Sequence, residues 1–301
     1  MNLQDIEALQ GALQKLHHQL TYHQQNKTLL IDTQTLINKF SEQNKFDVLC
    51  NIHNSLTLLM GAVCDEKGLG KLNLMLANAK VPSKYYDIFY EMLAYKKIPT
   101  ANYAADNNCV YDGGEEDGAV PPPPPICIDC GAHAGLISDI LCHCGAEVYA
   151  FEPNIYLNTL LKRKFKNQNA YLYQKAVGSK NYKTSFLVFQ GRALSQGNRI
   201  VSGIQDKETA QSYEVEVIDL CEFIELNFVR KGREIYFLKL DVEGAEFEIL
   251  EKLIAKKLYK HISFIACETH EYMFENGSDK LAKIHRLIET QGIDNILLDW
   301  I

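Results

Sequence analysis

Ile126-Cys127-Ile128-Asp129-Cys130-Gly131-Ala132-His133-Ala134-Gly135 is the stretch that decides the fold. It reads as a buried strand over 126–129 that ends in an acid, a turn with two glycines, and a helix over 134–144 that Gly145 stops. Gly131 lets the backbone turn tightly and approach a ligand closely. A helix start at about Ala134 offers unpaired N–H groups and a partial positive charge, which suits a carboxylate such as that of a methionine moiety. Asp129 suits an ammonium group, directly or through water. A dinucleotide-binding turn reads Gly-x-Gly-x-x-Gly. Here Cys130 precedes Gly131 and His133 fills the middle position, so that pattern fails and a nicotinamide-dependent oxidoreductase is disfavoured.

Downstream, strands and helices alternate. Strands are expected over 148–151, 171–173, 235–240 and 262–267, with a last apolar run over 296–300. Helices are expected over 155–165, from Phe247 to Leu258, and after His270 to about Thr290. Such alternation specifies a parallel sheet with helices on both faces. The segment 179–212 interrupts it with short strands over 184–189 and 200–202 and reads as an insertion that arches over the site.

The ends of these strands carry the chemistry. Val148-Tyr149-Ala150-Phe151-Glu152-Pro153 is an apolar strand ending in Glu, 21 residues after Gly131. A carboxylate there can accept hydrogen bonds from both hydroxyls of a ribose, and Pro153 also fits a first helical turn. Phe237-Leu238-Lys239-Leu240-Asp241-Val242-Glu243-Gly244-Ala245-Glu246 ends another strand at Asp241. Glu243 and Glu246 then open a helix, where acids are favourable whatever else they do. Cys267-Glu268-Thr269-His270 ends the next strand and belongs to the same rim.

Upstream the pattern changes. Ile6, Leu9, Leu13, Leu16 and Leu20 form one helical stripe, and Phe46, Leu49, His53, Leu56 and Met60 a second. Tyr85, Tyr86, Ile88, Phe89, Met92 and Leu93 mark a third helix, opened by Pro82 and Ser83. The first stripe has coiled-coil spacing but is short, so two readings stay open: a helix packed on its own chain, or a homo-oligomer contact. The acidic, glycine-rich run at 112–118 reads as a solvated loop, and Pro121 to Pro125 as a stiff lead-in to the next strand. The organisation expected is a helical region at 1–110, a linker at 111–125 and an α/β domain at 126–301.

Composition narrows the function classes. The chain has 301 residues, 47% hydrophobic, with a formal net charge of -7, and no basic stripe of the kind nucleic-acid binders show. Lys162-Arg163-Lys164 reads as the solvated face of a helix. No run is long and apolar enough for a membrane span, and the first residues lack a leader pattern, so a cytoplasmic protein is expected. Nine cysteines scattered through so long a chain read as reduced thiols. A zinc site at Cys127, Cys130, Cys142 and Cys144 is disfavoured, because the first two lie in the strand and turn and the others near the far end of the following helix.

Taken in order, the turn at 129–135, Phe151-Glu152-Pro153, Ala176-Val177-Gly178, Val217-Ile218-Asp219-Leu220 and Lys239-Leu240-Asp241-Val242-Glu243-Gly244-Ala245-Glu246 resemble the motifs of FkbM-type methyltransferases. The resemblance covers about 126–270. It implies a class I methyltransferase fold, Rossmann-like with a mostly parallel doubly wound sheet, here preceded by the helical N-terminal region. It also implies S-adenosyl-L-methionine as methyl donor and a hydroxyl on a sugar, glycan or small metabolite as acceptor. Carried over, Gly131 and Gly135 line the methionine end, Glu152 the ribose, and Lys175 and Ala176 the adenine edge, with Asp129, Ala132, His133 and Pro153 as further cofactor-binding residues. Asp241 then faces the reacting centre or the methionine ammonium. For a general base the order of expectation is His270, Glu243, Asp241, Glu268. A subsidiary reading lets Asp241, Glu268 and His270 share a divalent cation. His133 stands where the family commonly has Asn, and the N-terminal region lies outside the shared domain. Both keep open the alternative of an inactive methyltransferase-like binding or scaffold protein.

Overall fold

The computed structural model describes residues 69–96, 123–189, 199–200 and 210–300. The two upstream stripes and the acidic loop lie outside the described residues. The chain divides into two compact units, 1–75 and 76–301. Helix α1, Leu69–Asn78, runs across that boundary.

In the second unit a single 3₁₀ turn, Ser83–Tyr85, leads into α2, Tyr86–Lys96. The alternation then follows as β1 Ile126–Cys130, α3 Leu136–His143, β2 Glu147–Phe151, α4 Ile155–Lys164 and β3 Ala170–Tyr173. Next come β4 Ala176–Gly178, β5 Tyr182–Phe189, β6 Arg199–Ile200, β7 Ala210–Asp219 and α5 Leu220–Asn227. The chain continues through β8 Ile235–Leu240, α6 Glu246–Ala255, β9 Ile262–Cys267, α7 Gly277–Gln291 and β10 Ile296–Leu297.

Six strands form one sheet in the order β10-β9-β8-β1-β2-β3, and every pairing in it is parallel. The doubly wound sheet expected from the alternation is present. β1 is buried along its whole length, which is why it reads as an apolar run interrupted only by Asp129. From β1 the chain moves outward to β2 and β3, then returns to β8 on the other side. Right-handed crossovers in opposite directions put the helices on opposite faces, and they leave a crevice beyond the strand ends at the reversal between β1 and β8.

The register makes that crevice chemically specific. Cys130 is level with Phe151 on one side and Leu240 on the other, and Leu240 is level with Cys267. The next residue on each strand is therefore Glu152, Gly131, Asp241 or Glu268, side by side along one edge. Main-chain bonds continue across this row, from Gly131 N–H to Phe151 O at 3.0 Å, Asp241 N–H to Cys130 O at 3.2 Å, and Glu268 N–H to Leu240 O at 2.9 Å.

The first helix after β1 starts later than its apolar pattern suggests. Gly131, His133 and Gly135 all take positive φ, 79°, 48° and 72°, so Ala134 and Gly135 stay in the turn and α3 starts at Leu136. Leu258 likewise belongs to a 3₁₀ turn, Leu258–His261, beyond the end of α6. The final apolar run makes only a two-residue strand, and Trp300 lies beyond it.

A second sheet, in the order β4-β7-β5-β6, is antiparallel apart from the β4–β7 pair. It has a small core of Phe186, Val188 and Val215. Tyr213 fastens it to the turn after β2: its hydroxyl accepts from Ile155 N–H at 2.8 Å and donates to Pro153 O at 3.2 Å.

The segment before the parallel sheet is joined to its last strands. Phe89 of α2 packs on Phe237 of β8, with ring centroids 5.5 Å apart, and Tyr85 meets Trp300 edge-on at 4.9 Å. The Tyr85 hydroxyl donates to Asp299 Oδ1 at 2.7 Å, and Lys84 pairs with the same carboxylate. Tyr85→Phe keeps the packing and loses one hydrogen bond, so it should lower stability by about 1 kcal/mol; a denaturant melt checks this. Among the described residues no helix is long and apolar enough to cross a membrane.

Candidate functional site

The crevice opens into a cavity of about 780 Å³. Its wall includes Gly131, Ala132 and His133 from the first turn, Glu152 and Pro153 after β2, and Lys175 and Ala176 at β4. Asp241, Glu243, Glu268 and His270 line it as well. Of the residues singled out from sequence, Asp129 and Gly135 do not form the wall. Asp129 is fully buried behind it, and a Cβ on Gly135 would meet Leu161 and Phe165 of the layer below, at 2.6 and 2.8 Å.

Asp129 is held from two sides. Ser138 of α3 donates to its Oδ2 at 2.6 Å, and the Lys239 ammonium lies 3.5 Å from Oδ1. Lys239 comes from β8, where it pairs in register with Asp129. Its Nζ donates to Gly131 O at 2.9 Å and meets Asp241 Oδ2 at 3.0 Å. Burial pushes the Lys239 pKa down, but Asp241 and Asp129 beside it push it up by more, so the group stays charged. One buried cation thus fixes the glycine turn against the acid that ends β8.

Glu152 is the acid on the β2 side. Its Oε2 accepts from His133 N–H and its Oε1 from Asn154 N–H, both at 2.8 Å. Asn154 is fixed in turn as the cap of α4, its Oδ1 accepting from Tyr156 N–H at 3.0 Å and Leu157 N–H at 3.4 Å. Each Glu152 oxygen keeps a lone pair for the cavity. Burial lifts the Glu152 pKa to about 7, against the pull of those two N–H donors.

The β8–β9 side is dense in acid. His270 is almost fully buried, and its Nε2 faces Glu243 Oε2 at 3.6 Å, Glu268 Oε1 at 3.7 Å and Asp241 Oδ1 at 3.9 Å. Its Nδ1 meets Glu246 Oε1 at 2.9 Å. Burial alone would lower the His270 pKa; Glu246 and the facing carboxylates outweigh it and raise it to about 9. Burial raises the carboxyls of Glu243 and Glu268. Glu243 sits at φ 58°, a left-handed conformation that costs a non-glycine residue energy and turns the loop after β8. Asp241, Glu243 and His270 each offer one ligand-type atom, all within 4.8 Å of one another. The imidazolium and the Lys239 ammonium already supply positive charge to these carboxylates, so no chemical step is assigned to a metal.

Sequence reasoning missed several wall residues. Phe186 reaches the wall from β5 of the second sheet, while Lys80, Tyr272 and Trp300 come from segments with no motif. Lys239 was in plain view inside the Lys-x-Asp stretch; a charged residue in the middle of an apolar strand is the signal that finds it.

The family model for the FkbM methyltransferase domain matches residues 129–294. No curated protein and no solved structure matches the chain.

Proposed function

This chain belongs to the FkbM methyltransferase family, and on that premise we propose that it transfers a methyl group from S-adenosyl-L-methionine to a hydroxyl on a sugar, glycan or small metabolite. The observation that carries the reading is the in-register row at the strand ends, with Glu152 and Asp241 on either side of Gly131 around one cavity. The residues fit such a cofactor. Glu152 has lone pairs to spare for two ribose hydroxyls, and Gly131 leaves room for close approach. Pro153, Lys175, Ala176 and Phe186 line the part of the wall where an adenine ring would lie. Ala132 and His133 line the wall beside Gly131, where the methionine end would lie. Asp129 acts from behind the wall, through Lys239.

When bound, the cofactor supplies an activated methyl group on a sulfonium. The chain's own work is to align the acceptor oxygen, exclude water and take up a proton. His270, with its raised pKa, carries a proton at neutral pH and so hydrogen-bonds rather than accepts. Glu243, Asp241 and Glu268 around it are the groups that take the acceptor's proton.

Calorimetry with S-adenosylhomocysteine is the primary test. Binding is expected, with none for NAD; absence of S-adenosylhomocysteine binding would sink the reading. Glu152→Gln should weaken that binding about 10- to 100-fold, the equivalent of roughly 1.5–3 kcal/mol for hydrogen bonds to a charged group. The wild type should also show pH dependence. Hydroxyl donors favour the ionised carboxylate, and Glu152 ionises only near pH 7. Affinity should therefore rise as pH climbs from 6 to 8, with proton release on binding, and Glu152→Gln should flatten that rise.

A further inference from the structure

We propose that Glu246 is a positioning residue: its carboxylate holds both the loop that presents Glu243 and the imidazole of His270, so that Nε2 points at the acids on the cavity wall. The proposal rests on the methyltransferase reading only for its consequence, since the geometry stands without a cofactor.

Glu246 is the first residue of α6 and is fully buried. An acid there is ordinarily favourable charge at a helix start, facing water. This one turns inward and reaches back over its own loop. Its Oε1 accepts from Val242 N–H at 2.8 Å and its Oε2 from Gly244 N–H at 2.9 Å. Oε1 also meets His270 Nδ1 at 2.9 Å, 24 residues further along the chain. The residue before α6, Ala245, has no side-chain cap bond of its own, so Glu246 ties down the donors of the turn itself.

Two consequences follow from this one carboxylate. The loop is pinned at Val242 and Gly244, the residues on either side of Glu243, and Glu243 is the one held at positive φ. The loop's strain is thus sustained by bonds to a buried anion, and the Glu243 side chain is delivered to the wall. Next, a carboxylate accepting from Nδ1–H fixes how the ring is rotated. That leaves Nε2 at 3.6 to 3.9 Å from Glu243, Glu268 and Asp241, the carboxylates of the acceptor side. Of the groups packed round the ring, Glu246 is thus the one on Nδ1; Tyr272 lies at its edge, centroids 5.8 Å apart.

The test uses the full chain labelled with ¹⁵N-histidine and followed by proton NMR. The wild type should give a far-downfield ring N–H signal that His270→Asn abolishes, the mark of a histidine donating to a buried carboxylate. Glu246→Gln should shift it clearly upfield, because a neutral amide oxygen in the Oε1 position accepts from Nδ1 more weakly than a carboxylate and its NH₂ would face Gly244 N–H. If Glu246→Gln does not fold, Glu246→Asp, which withdraws the carboxylate by one methylene, should shift the signal clearly upfield. A wild type without the signal, or a signal unmoved by either Glu246 variant, overturns the proposal. Calorimetry with S-adenosylhomocysteine on the same wild-type sample keeps the two readings apart: failure to bind overturns the cofactor assignment and leaves the Glu246–His270 pairing standing.

Discussion

Lys239→Met is expected to cost about 3–5 kcal/mol of stability, the usual penalty for removing one partner of a buried charge pair. The magnitude follows from what is left behind. Asp129 is wholly inaccessible to solvent, its Oδ1 has no hydrogen-bond donor, and the Lys239 ammonium 3.5 Å away is the charge that compensates it. Methionine fills much of the same volume, so the loss is electrostatic rather than a cavity. The substitution also frees Gly131 O and Asp241 Oδ2 from the group that joins them. Denaturant unfolding should show a lower midpoint. Adding Asp129→Asn, which removes the orphaned charge, should restore part of the loss. If the single variant melts like the wild type, the ion triad is not what secures the turn.

Gly131→Ala is the second large effect, and its cause is steric. A Cβ at this position would lie 1.8 Å from the carbonyl oxygen of Asp241, on a residue at φ +79°. The left-handed backbone costs an alanine about 1–2 kcal/mol. Relieving the overlap means separating the ends of β1 and β8, which adds about 1–3 kcal/mol of overpacking strain. It also parts Gly131 from Asp241 and should abolish S-adenosylhomocysteine binding even where the protein folds. Gly232 makes the control: at φ +66° it has nothing within 4 Å of an added Cβ. Gly232→Ala should therefore cost only the backbone increment, about 1–2 kcal/mol, and leave binding intact. Calorimetry on the two variants separates the contributions.

The parallel sheet was legible because its strands are short apolar runs bounded by glycine, proline and acids, with helices of clear period between them. β9 falls at 262–267, where the pattern places it. β7 went unread although it has ten residues. Its apolar positions, Tyr213, Val215 and Val217, alternate with Glu214 and Glu216, the mark of a strand with one wet face. The helix after β1 starts two residues later than its sequence pattern indicates, since His133 at positive φ prolongs the turn and histidine gives no sign of that conformation. At the site, acids at strand ends were visible one by one. Their shared row follows from register, and register is set by pairing between strands more than 100 residues apart in sequence, such as β1 with β8. Glu246 looked like ordinary helix-start charge because a sequence does not say which way a side chain turns.

The contact of α2 with β8 has a consequence for how the family-sized domain should be handled. Phe237 is shielded by Phe89, and Tyr236 donates its hydroxyl hydrogen to Glu91 at 3.1 Å, with Ile88 O nearby at 3.3 Å. Cys144 Sγ also lies 3.6 Å from Phe89 O. All of these partners precede residue 129, where the family match begins. A fragment cut to the matched boundaries would present a greasy, unclad underside to solvent and would tend to self-associate. Expression designs should therefore retain the chain at least from Pro82, so that the shared catalytic fold keeps its own upholstery.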